Sequence, residues 1–247
     1  MNSVVVTFVR ELRAYFVSPL AYAIGACFVF IHGISFAILV GYLNDAPSSV
    51  GAPMEIFFGG TIFFWLALMF VGPVLPMRLL SEERRSGGLE ILMTAPVTEG
   101  QVVLGKYLAS LAFYVVLWSP TLLYSLVLWA YSDAVDWGPI ASAYLGVFAI
   151  GAMFLAIGVF ASAVSRSQIV AAVLAFSLIF GLLAIGLLEF LVVSEISREL
   201  LGYVNLIQHM DDFARGIVDT RRLVYYLSVS VFFLILSSRT LALNKWR

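Results

Sequence analysis

Five stretches of this chain, residues 20–43, 56–77, 107–130, 138–164 and 168–188, run for 21 to 27 residues without an Asp, Glu, Lys or Arg. A sixth, 223–243, holds only Arg239, whose long side chain can reach a nearby surface. About 20 apolar residues of helix cross a bilayer. In hydrocarbon each backbone N–H and C=O must find its partner within the segment, so such runs are helices. One repeated feature therefore predicts an all-α integral membrane protein with six transmembrane helices. The composition, 62% hydrophobic and 12% charged, carries about half the charge of a soluble domain. A net charge of −1 provides no basic field for nucleic acid. The single cysteine, Cys27, excludes a disulfide framework or a Cys-based metal site. Run 20–43 exceeds the roughly 7–15-residue apolar core of a signal peptide and reads as an uncleaved span.

Charge orients the spans. Arg10, Arg13, Arg78, Arg84, Arg85, Lys106, Arg166, Arg239, Lys245 and Arg247 fall on one side of a six-span chain. Residues 44–55 and 131–137, on the other side, have no Lys or Arg, and only the 189–222 loop there carries basic residues, mixed with acidic ones. Excess Lys and Arg mark the cytoplasmic side, which predicts both termini inside.

Residues 2–17 are not a span. Asn2 and Ser3 are capping types. Val4, Phe8, Leu12 and Tyr15/Phe16 share one helical face while Arg10 and Arg13 share another, the pattern of an amphipathic helix in the membrane interface. Ser18-Pro19 ends it. Small residues four apart, Ser142/Gly146, Gly158/Ser162 and Ala171/Ala175, permit close helix packing, within the chain or across a dimer.

The segment 78–106 is the long polar island of the first three quarters of the chain. Arg78 to Arg85 extends the second helix past the membrane, and Gly87-Gly88 permits a sharp reversal. The island then presents Leu89, Ile91 and Leu92 beside Glu90, breaks at Pro96, and reopens a helix at Thr98-Glu99-Gly100-Gln101, a capping box. A connection alone needs only a few residues. The island reads as a docking surface for a partner, against the plainer reading of a solvated loop with helix-end charges.

The residues Glu82-Glu83-Arg84, Gly88-Leu89-Glu90, Thr94-Ala95-Pro96 and Gly105-Lys106 resemble the ABC-2 family of ABC-transporter permeases. Ser86-Gly87-Gly88-Leu89-Glu90 departs slightly from that family's usual Gly-Thr-Leu-Glu. The run His209-Met210-Asp211-Asp212-Phe213-Ala214-Arg215-Gly216-Ile217-Val218-Asp219, with Tyr225-Tyr226-Leu227-Ser228, is similar to the gliding-motility-associated permeases. The resemblance covers the chain and implies one ABC-2 transmembrane domain over 1–247. It implies a bacterial inner-membrane permease subunit, without an ATPase of its own, that moves substrate outward. A second permease, identical or homologous, and separate ABC ATPase subunits holding ATP and Mg would complete the complex. An accessory protein with a large external domain and membrane lipid are further implied partners. A complex that transmits force without carrying a solute is the alternative, as is a scaffold with no ATPase.

By the same resemblance, Glu82, Glu83, Arg84, Arg85, Leu89, Glu90, Ile91 and Leu92 form the coupling helix that docks the ATPase. Short re-entrant helices over 194–220, broken by Gly202, Asn205 and Gly216, cap the path, with Asp211, Asp212, Phe213, Arg215 and Gly216 in the external gate region. Gly100 to Tyr107 fits GxxxxGK but lacks the following Ser/Thr and a preceding strand, so it is no nucleotide site. His32 is expected to hydrogen-bond within the bundle. His209 near Asp211 and Asp212 does not make a metal site, Glu189 reads as interfacial, and no cofactor is expected in the chain.

Overall fold

The computed structural model describes residues 3–45, 56–87, 97–131, 136–190 and 201–244. Among them the regular structure is helical, without a strand: α1 Ser3–Val17, α2 Pro19–Asp45, α3 Ile62–Val74, α4 Ser81–Ser86, α5 Glu99–Trp118, α6 Leu122–Tyr131, α7 Trp137–Val164, α8 Gln168–Leu187, α9 Leu206–Ala214 and α10 Thr220–Asn244. Six segments are long and apolar enough to cross a membrane: Pro19–Asn44, Ile62–Ser86, Glu99–Ala130, Trp137–Val164, Gln168–Leu187 and Thr220–Leu243. The second joins α3 to α4 through a 3-10 turn at Pro76–Arg78, and the third joins α5 to α6 through one at Ser119–Thr121. The all-α, six-span architecture is the fold class expected from the apolar runs.

Two spans begin elsewhere than hydropathy alone places them. Ile56–Gly60 is a π-turn with non-helical Phe58 and Gly59, the latter at φ +111°, a value that glycine adopts at little cost. The regular helix of span 2 therefore starts at Ile62. Span 3 starts earlier than its apolar stretch. Thr98 accepts from the Gln101 N–H while Gln101 returns a bond to the Thr98 N–H, satisfying orphan donors at the helix start.

Span 4, α7, is the axis. It is buried over 72% of its most apolar window, against 22–50% for the other spans. Its small residues let neighbours approach. A Cβ on Gly158 would lie 2.2 Å from the Pro76 ring, so the bend of span 2 rests directly on this helix. The 3-10 turn at Pro76–Arg78 interrupts the helix, and the first N–H groups at the start of α4 have no intrahelical partner. Ser162 takes them up: its hydroxyl accepts from the N–H of Leu80 at 3.0 Å and of Ser81 at 3.1 Å, and donates to the Met77 carbonyl at 2.9 Å. The pairs Ser142/Gly146 and Gly158/Ser162 thus both serve contacts within the chain. The rim of the bundle, with Phe30 on α2, Ile169 and Phe180 on α8, and Leu227 and Phe232 on α10, is exposed and apolar, as a lipid-facing surface requires.

Candidate functional site

The two ends of the bundle differ. At the near end, which holds 78–87 and 97–106, α4 continues span 2 past the 3-10 turn and stops at Gly87, a left-handed cap at φ +73°. Glu82, Arg85 and Ser86 point outward and are exposed, while Glu83 and Arg84 turn inward. Arg84 donates to the carbonyls of Ala163 at 2.8 Å and Val164 at 3.0 Å, the last turn of α7, where a cation also suits the helix dipole. The remaining expected docking residues, Leu89, Glu90, Ile91 and Leu92, lie outside the described residues.

Glu83 belongs to a four-charge cluster. Its Oε1 accepts from Arg10 Nη2 at 2.7 Å and from Lys106 Nζ at 2.9 Å. Glu11 Oε1 accepts from the same two cations, at 2.7 Å from Arg10 and 2.9 Å from Lys106. Side-chain exposure is 1% for Lys106, 14% for Glu11 and 22% for Glu83. A buried ammonium persists only when its charge is matched and hydrogen-bonded, and two carboxylates match it here with Arg10 balancing the second. Burial alone would push Glu11 up, but the Lys106 ammonium, then Arg10, overrides it and holds this carboxyl below its ordinary value.

The cluster joins three elements: α1, α4 and α5. Their approach depends on Gly105, where a Cβ would meet Thr7 Cβ at 2.8 Å and the Val4 carbonyl at 2.9 Å. Eight residues further along α5, Phe113 stacks on Tyr15 with centroids 4.9 Å apart. Tyr15 donates to the Leu75 carbonyl at 2.7 Å, and Arg78 lies over its ring at 5.0 Å while donating to Ser18 Oγ at 2.8 Å. The face of α1 expected to enter lipid is thus partly claimed by protein: Tyr15 is buried in the bundle and Val4, Phe8 and Leu12 are half-buried. Val5, Val6, Val9, Phe16 and Val17 are its exposed large apolar residues. The helix has two apolar faces, and periodicity does not tell which one meets protein.

At the far end, α9 is folded back into the bundle. Asn205 caps it, accepting from the N–H groups of Ile207 at 3.1 Å and Gln208 at 3.3 Å, and donates to Glu189 at 2.7 Å. Gly216 at φ +90° follows its end. Leu206, His209, Met210, Phe213 and Ala214 are buried. Phe213 presses on Gly146, where a Cβ would lie 2.7 Å from its ring, and its carbonyl accepts from Ser142 Oγ. Gly146 is nine residues into α7, roughly 13 Å along the helix at 1.5 Å per residue, so α9 is inserted rather than laid on top. Asp212 pairs with Arg222, Asp211 pairs with the exposed Arg215 at 3.0 Å, and Arg222 donates to the Gln208 carbonyl at 3.0 Å. His209 Nδ1 meets the Tyr226 hydroxyl at 2.9 Å. Burial, with Arg222 beside it, pushes His209 down to about 4.

The five far-end residues singled out from sequence therefore part company. Phe213 is a core anchor, Asp212 ties α9 to span 6, and Asp211 and Arg215 pair on the surface. Gly216 shapes the exit. His209, Asp211 and Asp212 do not converge on a common point. His32, on α2, is fully buried and donates from Nδ1 to the Phe28 carbonyl at 3.0 Å among Phe28, Phe57 and Trp118. Arg10, Glu11 and the close approach at Gly105 escaped sequence reasoning. The available signal was a Gly-Lys pair two turns into a helix, with a lone Glu flanked by arginines in the first helix.

The described residues form a membrane-spanning all-α bundle with α4 at one end and α9 inserted at the other. The ABC-2 family transporter protein family matches residues 26–245, most of the chain, and the chain belongs to it. Members are membrane subunits without an ATPase site. No curated protein matches the chain significantly.

Proposed function

We propose that this chain docks a separate ABC ATPase through 78–106 and converts its ATP-driven closure into outward movement of substrate across the inner membrane. The carrying observation is the near end. The stems α4 and α5 are joined through Glu83 and Lys106, and Glu82, Arg85 and Ser86, at the end of the outgoing stem, face outward. Charged groups around an apolar knob give a modest interface both affinity and register. On this reading two permeases, identical or homologous, pair in the bacterial inner membrane with both termini cytoplasmic, and ATP and Mg reside on the ATPase. Residues 209–219 and 225–228 support placing the chain with the gliding-motility-associated permeases, with an external accessory protein as partner.

A second reading, in which the complex transmits force without carrying a solute, is favoured by the tight union of α9 with span 6 through Asp212–Arg222 and His209–Tyr226. Docking is tested with a tagged chain purified from its native membranes. An ABC ATPase is expected to co-purify, and Glu82→Lys with Arg85→Glu to release it while leaving insertion intact, since both lie outside the packed bundle. Retention of the ATPase at wild-type level and rate by the doubly reversed chain overturns this docking surface.

A further inference from the structure

We propose that Lys106 is a positioning residue that clamps α4 and α5, the stems on either side of the docking loop, to α1, so that α1 and the two stems move as one lever. The inference rests on the reading of 78–106 as the docking loop, but the clamp itself is a property of this chain. Lys106 lies on the return stem, Glu83 on the outgoing stem and Glu11 on α1, and one ammonium touches both carboxylates at 2.9 Å. Arg10 closes the ring from the α1 side, at 2.7 Å from each carboxylate.

Three features make this a clamp rather than a surface ion pair. Lys106 is 1% exposed, so salt and water screen it little, and losing either carboxylate strands a buried charge. Gly105 brings α1 into backbone contact with α5, with Val4 O and Thr7 less than 3 Å from where a Cβ would sit. The Tyr15–Phe113 stack fixes α1 a second time, further along the same two helices. The contacts advance in the same direction along both, Val4 and Thr7 at Gly105, Glu11 at Lys106, Tyr15 at Phe113. Movement of α5 is therefore passed along the length of α1. The Gly-Lys pair that mimics a phosphate-binding loop has its physical account here: the glycine admits a helix and the lysine fastens it.

The test uses the full chain in lipid nanodiscs with nitroxide pairs at exposed positions, Val6 with Ser86 for α1 against the outgoing stem, and Ser86 with Leu104 for stem against stem. In otherwise unaltered protein both pairs should give one narrow distance. Glu11→Gln should broaden Val6–Ser86 and leave Ser86–Leu104 narrow. Lys106→Met should broaden both, and Lys106→Arg should restore both. If Glu11→Gln leaves Val6–Ser86 narrow, the clamp is overturned, even where Lys106→Met fails to fold. A second arm adds the co-purified ATPase with ATP and vanadate. The Val6 and Ser86 labels should then keep their spacing in the wild-type chain, while the Glu11→Gln chain still retains the ATPase but loses that spacing. Failure of any ATPase to co-purify with the wild-type chain counts against docking alone, because the first arm has already decided the clamp.

Discussion

Phe213 and Gly146 are matched in size, the ring lying where a Cβ on residue 146 would sit, so a change in either alone is destabilising. Phe213→Ala should lower stability by about 3–5 kcal/mol, the range for emptying a buried aromatic site, read as a fall in the thermal midpoint in detergent. Gly146→Ala should cost about 1–3 kcal/mol by overpacking, because the new Cβ meets the ring at 2.7 Å. A Gly146→Ala midpoint equal to wild type would show that α9 is not seated on that glycine. His209 adds a pH dependence of defined sign. In the fold its pKa sits at about 4 against an ordinary 6.5, so between those values the unfolded chain binds more protons. The stability carried by the neutral ring is complete above pH 6.5 and is lost as pH falls toward 4. Arg222, Asp212, Asp219 and Tyr226 all act on the ring. The thermal midpoint should therefore drop from pH 7 to pH 5 in the wild-type chain and drop less in His209→Gln. Equal slopes would remove His209 from the account. The histidine's pairing with Tyr226 was not legible in sequence, because 17 residues and a turn separate them.

At the scale of elements, the bend in span 2 is the most exacting construction. Hydropathy ran span 2 unbroken through 56–77, without the bend at Pro76, and the acceptor that accommodates the bend lies 82 residues away from Leu80. Ser162→Ala keeps the close packing and removes that acceptor. Two backbone N–H groups are then orphaned in an apolar setting, at a cost of about 1–3 kcal/mol each if unrelieved. The expected result is a lower thermal midpoint with Ser162→Ala and partial recovery with Ser162→Thr, which restores a hydroxyl. No change with Ser162→Ala would mean that the bend satisfies itself. The capping box at Thr98 was readable because its partners are three residues apart. The side of α1 that meets α5 was not, because both of its faces carry apolar residues.

For the whole molecule, the proposed orientation follows from basic residues collected at the near end and is tested by fusion. A reporter active only outside the cytoplasm should work when joined at Pro47 or Asp133 and stay silent at Gly87. Activity at Gly87 would invert the chain and make 78–106 an external loop. By itself the sequence determined the membrane class, the six helices and the presence of a polar island with two helical stems. Those follow from hydropathy, helix length and local capping, all short-range properties of the chain. Tertiary structure alone decided that span 4 is the axis, that α9 is inserted beside Gly146, and that Glu83 faces inward to Lys106 while Glu82 and Arg85 face outward. Each of those outcomes depends on which distant helix lies alongside. In a chain this apolar almost every helix face could pack against protein or lipid, so the choice is made by a few small residues and buried charges whose partners are far away in sequence.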